Sequence, residues 1–384
     1  NINMKNFSAD KLNEIYIKRR AQLANYMVNN NINIVIFEDN EEHRDANVRY
    51  FSGHINDAIL IISNTGNSIL IPWDINLAKD NAFVDKIIPF TTYERNNIRA
   101  IKSVLSTFPE SKKQVLDISP ATSYIQFLQI VDALPNWDIR CREEGTFLFT
   151  TSMREIKDEY EIACIKEAAR IGDLIINEIE SKIKRGKIKT ETDVALFIES
   201  ECRKHGCEKT GFDTLAAGPS RSYAIHCFPN YTNAPWPDTG LSILDFGVVY
   251  NGYTSDTTLT VAKGKLSKKQ EELISLVEKA AEKGKELYKK DVPIRTAAAK
   301  LDEIFASKKR SMPHGLGHGI GLEIHESPFI RQRTNPEKTF QPGMIITLEP
   351  GLYDKELGGV RLENDILITE DGNEVISNSR IIRL

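Results

Sequence analysis

The stretch Leu241-Ser-Ile-Leu-Asp245-Phe-Gly-Val-Val-Tyr250-Asn251-Gly252-Tyr253-Thr-Ser-Asp256-Thr-Thr-Leu-Thr260 sets two apolar, β-branched runs on either side of Asn251-Gly252. That dipeptide is the strongest short-range signal for a two-residue hairpin turn. In a tight hairpin Tyr250 faces Tyr253 and opposed residues have numbers of constant sum, so Asp256 faces Gly247. Side chains alternate along a strand, which puts Asp245 on the same face as Asp256. The two carboxylates become diagonal neighbours on backbones roughly 7–8 Å apart. Short carboxylates at that offset reach a common pair of metal ions about 3.5–4 Å apart. A bulge at Gly247 would break this parity. Aspartates on a hairpin are commonly a solvated face, but Ser242-Ile243-Leu244 reads as a buried strand, and a buried Asp needs a partner.

Working outward, the plan around this hairpin repeats. Helical patterns at about 157–184 and 191–205 precede it. Two more follow, one from a capping box at Ser267 and Gln270 to about Lys290 and one over about 294–308. They lead to Met344-Ile-Ile-Thr-Leu-Glu349 and Val360-Arg-Leu-Glu363-Asn-Asp-Ile-Leu-Ile368, a second strand pair with two carboxylates, Glu349 and Glu363. This is the signature of an internally duplicated domain with a site between its halves.

Histidines mark the same region. Of seven, three fall in Ser311-Met-Pro-His314-Gly-Leu-Gly-His318-Gly-Ile-Gly-Leu-Glu-Ile-His325-Glu-Ser-Pro328, and His226 precedes the hairpin. The spacing fits neither an HExxH zinc helix nor a dinucleotide loop. Four carboxylates and a histidine suit hard-to-borderline divalent ions such as Mn, Co, Fe or Zn. A pair of such ions can share a water, lower its pKa and hold it facing a carbonyl, with other histidines donating to the oxyanion. Amide hydrolysis is the natural use.

Residues 1–150 read as a separate α/β unit, with the boundary near Thr150 to Arg154. A helix over about 10–28, strands at 32–37, 58–62, 68–72, 114–118 and 137–142, and helices near 98–108 and 121–134 make a sheet covered by helices. His43, His54 and Trp73 there are more readily packing or surface groups than a ligand surface. Cys202, His205 and Cys207 cluster at a helix end but lack the second half of a zinc site.

The composition excludes several partners. A net charge of −4 and pI near 6.1 leave no basic footprint for nucleic acid or anionic membrane. No apolar run reaches the length of a membrane span, and the region holding Asp10, Lys11 and Glu14 lacks a signal core. Five irregularly spaced cysteines suit free thiols in a reducing compartment, so a cytoplasmic location is expected.

The ordered motifs LDFGVVYNGYTSD, HGLGHGIGLEIH, TLEPGLY and GVRLEND resemble those of the metallopeptidases with the pita-bread fold. That superfamily contains Xaa-Pro aminopeptidases, Xaa-Pro dipeptidases (prolidases), methionine aminopeptidases and metal-free creatinases. The resemblance covers essentially the whole chain. It implies a two-domain α/β architecture: a creatinase-type α/β domain over 1–150 and a pita-bread α+β catalytic domain with internal pseudo-duplication over 151–384. An N-terminal domain of this kind favours the proline-specific branch.

Position by position, the resemblance implies Asp245 as terminal ligand of one metal, His318 and Glu349 as ligands of the other, and Asp256 and Glu363 as bridges. Glu349 would also act as general base or proton shuttle. His325 would stabilise the gem-diolate, His226 would contact the scissile carbonyl or substrate amine, and His314 would line the proline pocket. Arg361 would pair with a site carboxylate or the substrate's carboxylate. Tyr231 and Trp236 are further candidates for the pocket wall. Many members carry Arg where Leu259 stands here, so any salt bridge from that position is absent. The expected function is an Xaa-Pro aminopeptidase acting on short proline-containing peptides, with two divalent ions per chain, manganese first among them, in a homodimer. The alternatives are an Xaa-Pro dipeptidase, a creatinase-like C–N hydrolase and a non-catalytic peptide-binding protein.

Overall fold

The computed structural model describes residues 4–109 and 113–384. The chain divides between Met153 and Arg154 into two compact units.

The first unit runs α1 (Ala9–Asn29), β1 (Ile34–Asp39), α2 (Ala46–Ser52), β2 (Ala58–Ser63), β3 (Ser68–Pro72), α3 (Ile75–Asn81), β4 (Lys86–Ile87), α4 (Asn97–Leu105), β5 (Gln114–Ile118), α5 (Tyr124–Ala133) and β6 (Trp137–Cys141). Its six strands form one mixed sheet in the order β4-β3-β2-β1-β5-β6. Ile34 and Ile36 pack with Ile59, Ile61, Leu116 and Ile118 against Ile101 and Val104 of α4. Helices α2 and α3, at seven residues each, are too short to display a helical period in the sequence. Each begins at an aspartate whose side chain accepts an orphan backbone N–H, Asp45 from Asn47 and Asp74 from Asn76. His54 is buried, His43 lies in an exposed turn, and Trp73 stacks on Phe90 at 4.0 Å. A further helix, α6 (Thr146–Glu155), carries the chain continuously through residues 150–154, where the sequence reading had no helix.

The second unit contains α7 (Glu159–Lys184), α8 (Glu191–Lys204), β7 (Lys209–Thr210), β8 (Leu215–Ala217), β9 (Gly240–Phe246), β10 (Val248–Tyr250), β11 (Tyr253–Thr254) and β12 (Thr257–Lys263). It continues with α9 (Lys268–Leu287), α10 (Ile294–Ala306), β13 (Gly317–Gly319), β14 (Glu326–Ile330), β15 (Ile345–Leu348), β16 (Gly351–Asp354), β17 (Gly358–Arg361), β18 (Asn364–Ile368), β19 (Asn373–Val375) and β20 (Ile381–Arg383). Capping boxes at Asp158, Thr190 and Ser267 start α7, α8 and α9. The two main sheets are β20-β12-β9-β8 and β14-β13-β15-β18-β19. Each is backed by its own helix pair: Ile175 and Ile198 pack with Leu244 and Val261 in one half, Val277 and Leu301 with Ile346 and Ile366 in the other. This is the duplicated plan of the mixed α/β fold.

In the central hairpin the register is constant from Tyr250 opposite Tyr253 to Asp245 opposite Thr258. The ladder lapses at Gly247 and at Ser255–Asp256 without inserting a residue, so parity survives. Gly247 is needed because a Cβ there would lie 2.0 Å from the Ser255 carbonyl oxygen. One correction applies to the second strand pair. Residues 360–368 are two strands rather than one, β17 pairing with β16 and β18 with β15. The break falls at Leu362-Glu363 because the Glu363 N–H leaves the sheet to donate to the Thr258 carbonyl at 3.0 Å. That contact is a lone bridge between the halves.

Candidate metal centre and active site

Asp245 is the penultimate residue of β9, Asp256 precedes β12, His318 is the middle residue of β13, and Glu349 and Glu363 sit in the breaks after β15 and before β18. Strand β13 can approach β15 this closely because Gly317 has no Cβ, which would stand 1.9 Å from the Thr347 carbonyl oxygen. The His318 Nε2 then lies 3.5 Å from Asp256 Oδ2 and 3.4 Å from Glu349 Oε1. Ligand atoms of Asp256, His318 and Glu363 fall within 4.8 Å of one another, the only such grouping among the described residues. Cys202, His205 and Cys207 form none.

The hydrogen bonds fix which atoms remain available. His318 Nδ1 is 2.9 Å from the Gly319 carbonyl oxygen, which can only accept, so Nδ1 carries a proton and Nε2 is the nitrogen that faces the carboxylates. Thr347 Oγ1 accepts the His318 N–H and donates to Glu349, while Thr258 Oγ1 donates to Glu363 Oε2 at 2.7 Å. Asp245 Oδ1, Asp256 Oδ1 and Glu363 Oε1 are buried with no donor in reach. Burial and mutual repulsion push Asp256 and Glu363 well above the ordinary carboxylate range, and burial raises Glu349 too. Buried acceptors without donors beside an imidazole nitrogen fit a divalent cation, which satisfies the lone pairs and neutralises the charge together. The donor set, oxygen with one nitrogen, matches the expected metal classes.

Arg361 is 2 % exposed and uses its donors within the protein. Nη2 bonds Asp245 Oδ2 at 2.8 Å, Nη1 bonds the Tyr353 hydroxyl at 2.9 Å, and Nε bonds Thr258 Oγ1 at 3.2 Å. The Tyr353 hydroxyl accepts from Arg361 and so donates onward to His314 Nε2 at 2.8 Å, while His314 Nδ1–H donates to the Gly315 carbonyl. Burial lowers His314 to about 4, keeping it neutral.

His226, His314, His318 and His325 share a cavity of about 320 Å³ with Asp245, Glu349 and Arg361. His325 stands on its rim, 4.4 Å edge-to-face from His318, and is lowered to about 4 by loss of hydration and then by His318. The wall differs from the expected one. Tyr231 packs against the core, and Trp236 is fully buried, donating its indole N–H to the Ile243 carbonyl. Ile225, Phe329 and Arg331 take their place. Arg331 lies over the Phe329 ring at 4.7 Å and, among the described residues, meets no carboxylate. A lone arginine just past the end of β14 carries no spacing signal that would have exposed it. Asp365 was also missed: fully buried, it accepts the Asp256 N–H at 3.0 Å. Leu259 is buried opposite Leu244.

Residues 163–370, more than half of the chain, match metallopeptidase family M24. The chain belongs to metallopeptidase family M24. This M24 chain is 28 % identical over 375 residues to an Xaa-Pro dipeptidase of Pyrococcus horikoshii, covering 95 % of this chain and 98 % of that one. Among solved structures it resembles an Xaa-Pro dipeptidase from Bacillus anthracis, with TM-score 0.83, 27 % identity and 96 % and 100 % of the two chains covered. It also resembles an X-Pro aminopeptidase from Thermotoga maritima, with TM-score 0.80, 26 % identity and 92 % and 98 % covered. Among the described residues, no helix of this M24 metallopeptidase is long and apolar enough to cross a membrane.

Proposed function

We propose that this M24 metallo-exopeptidase is an Xaa-Pro dipeptidase. The observation that carries the reading is Arg331, a guanidinium on the cavity wall with no carboxylate partner among the described residues. A dipeptide places its own C-terminal carboxylate one residue beyond the scissile bond, and a guanidinium is the preferred group to receive it. The dipeptidases among the relatives support the same choice. The proline ring would lie between Phe329 and His314. An Xaa-Pro bond has no amide N–H, so a site that requires no such donor accepts it.

Asp245, Asp256, His318, Glu349 and Glu363 would hold two divalent ions, manganese first. Such ions supply a water of lowered pKa and polarise the substrate carbonyl. Arg361 holds Asp245 in the orientation that leaves Oδ1 facing the site. Glu349, raised by burial, takes the proton of the attacking water and delivers it to the proline nitrogen, which must be protonated to leave. His325 is neutral at pH 7 and donates one ring N–H to the developing oxyanion. His226 contacts the carbonyl or the free amine.

An Xaa-Pro aminopeptidase is the second reading. A cavity of about 520 Å³ adjoins the first and shares His314, Gly315 and Arg331 with it, giving room for chain beyond proline. A cytoplasmic location, supported by five free cysteines, and a homodimer, supported by the exposed apolar stripe Tyr124, Ile125, Leu128 and Val131 on α5, complete the proposal.

The deciding experiment compares Gly-Pro with Gly-Pro-Pro, in chelated protein and after adding Mn²⁺, Co²⁺ or Zn²⁺. Metal-restored cleavage favouring Gly-Pro is expected. Preference for Gly-Pro-Pro would install the aminopeptidase, and no cleavage with any metal would sink both.

A further inference from the structure

Glu326 follows His325 directly and is buried with two cations. Its Oε1 accepts from Arg154 Nη2 and from the Glu323 N–H, and its Oε2 lies 3.2 Å from Lys157 Nζ, whose side chain is 1 % exposed. Lys157 Nζ also donates to the Arg154 backbone carbonyl at 2.7 Å, which ties the lysine side chain to the backbone that carries the arginine. Burial pushes the Glu326 carboxyl up, but Arg154 and Lys157 outweigh it and leave it below its ordinary value, ionised. Residues 321–325 wrap this carboxylate: a Cβ on Gly321 would sit 2.6 Å from Glu326 Oε2. The loop is closed by Gly321 N–H to the Glu323 carbonyl, and its start is held by Thr254 N–H to the Gly321 carbonyl. The next residue is held as well, since Ser327 donates to Glu155, which is itself paired with Lys338.

His325 has no comparable restraint of its own. Among the described residues no side chain hydrogen-bonds its ring; it only leans on His318 at 4.4 Å. Its aim into the cavity therefore comes from its backbone, and the backbone is set by its neighbour.

We infer that Glu326, held between Arg154 and Lys157, is a positioning residue that aims His325 at the carbonyl undergoing attack. The inference rests on the reading of His325 as an oxyanion donor. A misplacement of a catalytic group by about 1 Å can lower the rate on the order of 100-fold, which is the scale at stake.

The test is a double-mutant cycle of Glu326→Gln and His325→Ala, with kcat and KM on Gly-Pro and bound Mn²⁺ measured for each variant. Glu326→Gln should lower kcat about tenfold while KM and metal content stay within about twofold, and in the His325→Ala background it should change kcat by less than about twofold. Equal losses in both backgrounds, or a loss that follows metal content, would overturn the inference. If Glu326→Gln does not fold, Arg154→Lys, which keeps the charge and loses the fork, is run through the same cycle. If the parent protein cleaves no Xaa-Pro peptide, the functional reading has failed on its own. The ring resonance of His325, assigned by its loss in His325→Ala, then decides: a shift in Glu326→Gln supports positioning and an unmoved signal refutes it.

Discussion

Arg361 Nη2 lies 2.8 Å from Asp245 Oδ2, with only 2 % and 12 % of the two side chains exposed. A guanidinium so enclosed cannot be removed without leaving a buried carboxylate unpaired. It also leaves the other oxygen of that carboxylate buried without a donor at the candidate metal centre. Arg361→Met should therefore weaken Mn²⁺ binding by about 10–100-fold, the usual size for loss of a group that orients a ligand. Isothermal titration would read this, and an unchanged affinity would show that Asp245 orients itself.

Arg331 should govern the choice between peptide lengths. Arg331→Gln should raise KM for Gly-Pro by about 10–100-fold, corresponding to about 1.5–3 kcal/mol for a charge-assisted hydrogen bond, with little change in kcat. Steady-state kinetics on Gly-Pro and its C-terminal amide would check it. Equal sensitivity of acid and amide would remove Arg331 from carboxylate recognition.

Burial lifts Asp365 to about 8, against about 3.9 in an unfolded chain. The folded state thus keeps a proton that the unfolded state has lost, so this contribution to stability is full below pH ~4 and disappears as pH rises through ~8. Metal-free protein should be less stable by urea denaturation at pH 8.5 than at pH 5. Asp365→Asn, which cannot ionise, should flatten that slope by a few kcal/mol. An identical slope in the variant would mean that Asp365 is ionised in the folded protein.

Gly247→Ala should be severe for a hairpin position, because its Cβ would meet the Ser255 carbonyl at 2.0 Å. Separating the strands there costs at least about 1–3 kcal/mol, as overpacking does elsewhere. It also displaces Asp256, so metal-dependent stabilisation should shrink with it. Thermal unfolding with and without Mn²⁺ measures both, and a variant that keeps its full metal response would show that the ligands tolerate the shift.

How far the molecule could be read in advance varied with the length of the signal. Asn251-Gly252 is local chemistry, and one turn type fixed the register through to Asp245 and Thr258. The histidine-and-glycine segment was conspicuous for its density, and the structure gathers His314, His318 and His325 in one cavity. By contrast, Glu326 meets Arg154 and Lys157 across 172 and 169 residues, a pairing that no periodicity encodes. Tyr231 and Trp236 misled because an aromatic near a loop looks the same in sequence whether it faces a ligand or the core. Residues 360–368 looked like one strand because apolar character does not reveal that Glu363 binds the other half.

The bridge between Thr258 and Glu363 also bears on the order of events as the chain folds. Asp245 and Asp256 come together as soon as a local hairpin closes, a process of microseconds. The Thr258 hydroxyl meets Glu363 across 105 residues, and closing so long a loop is costlier and slower than closing a hairpin. The acidic cluster is therefore not assembled piecemeal around an early-captured ion. A chain with only its first half folded would present Asp245 and Asp256 alone, and the full set of candidate ligands would exist only once both halves are in place. With these residues as the ligands, full metal affinity would report that folding is complete.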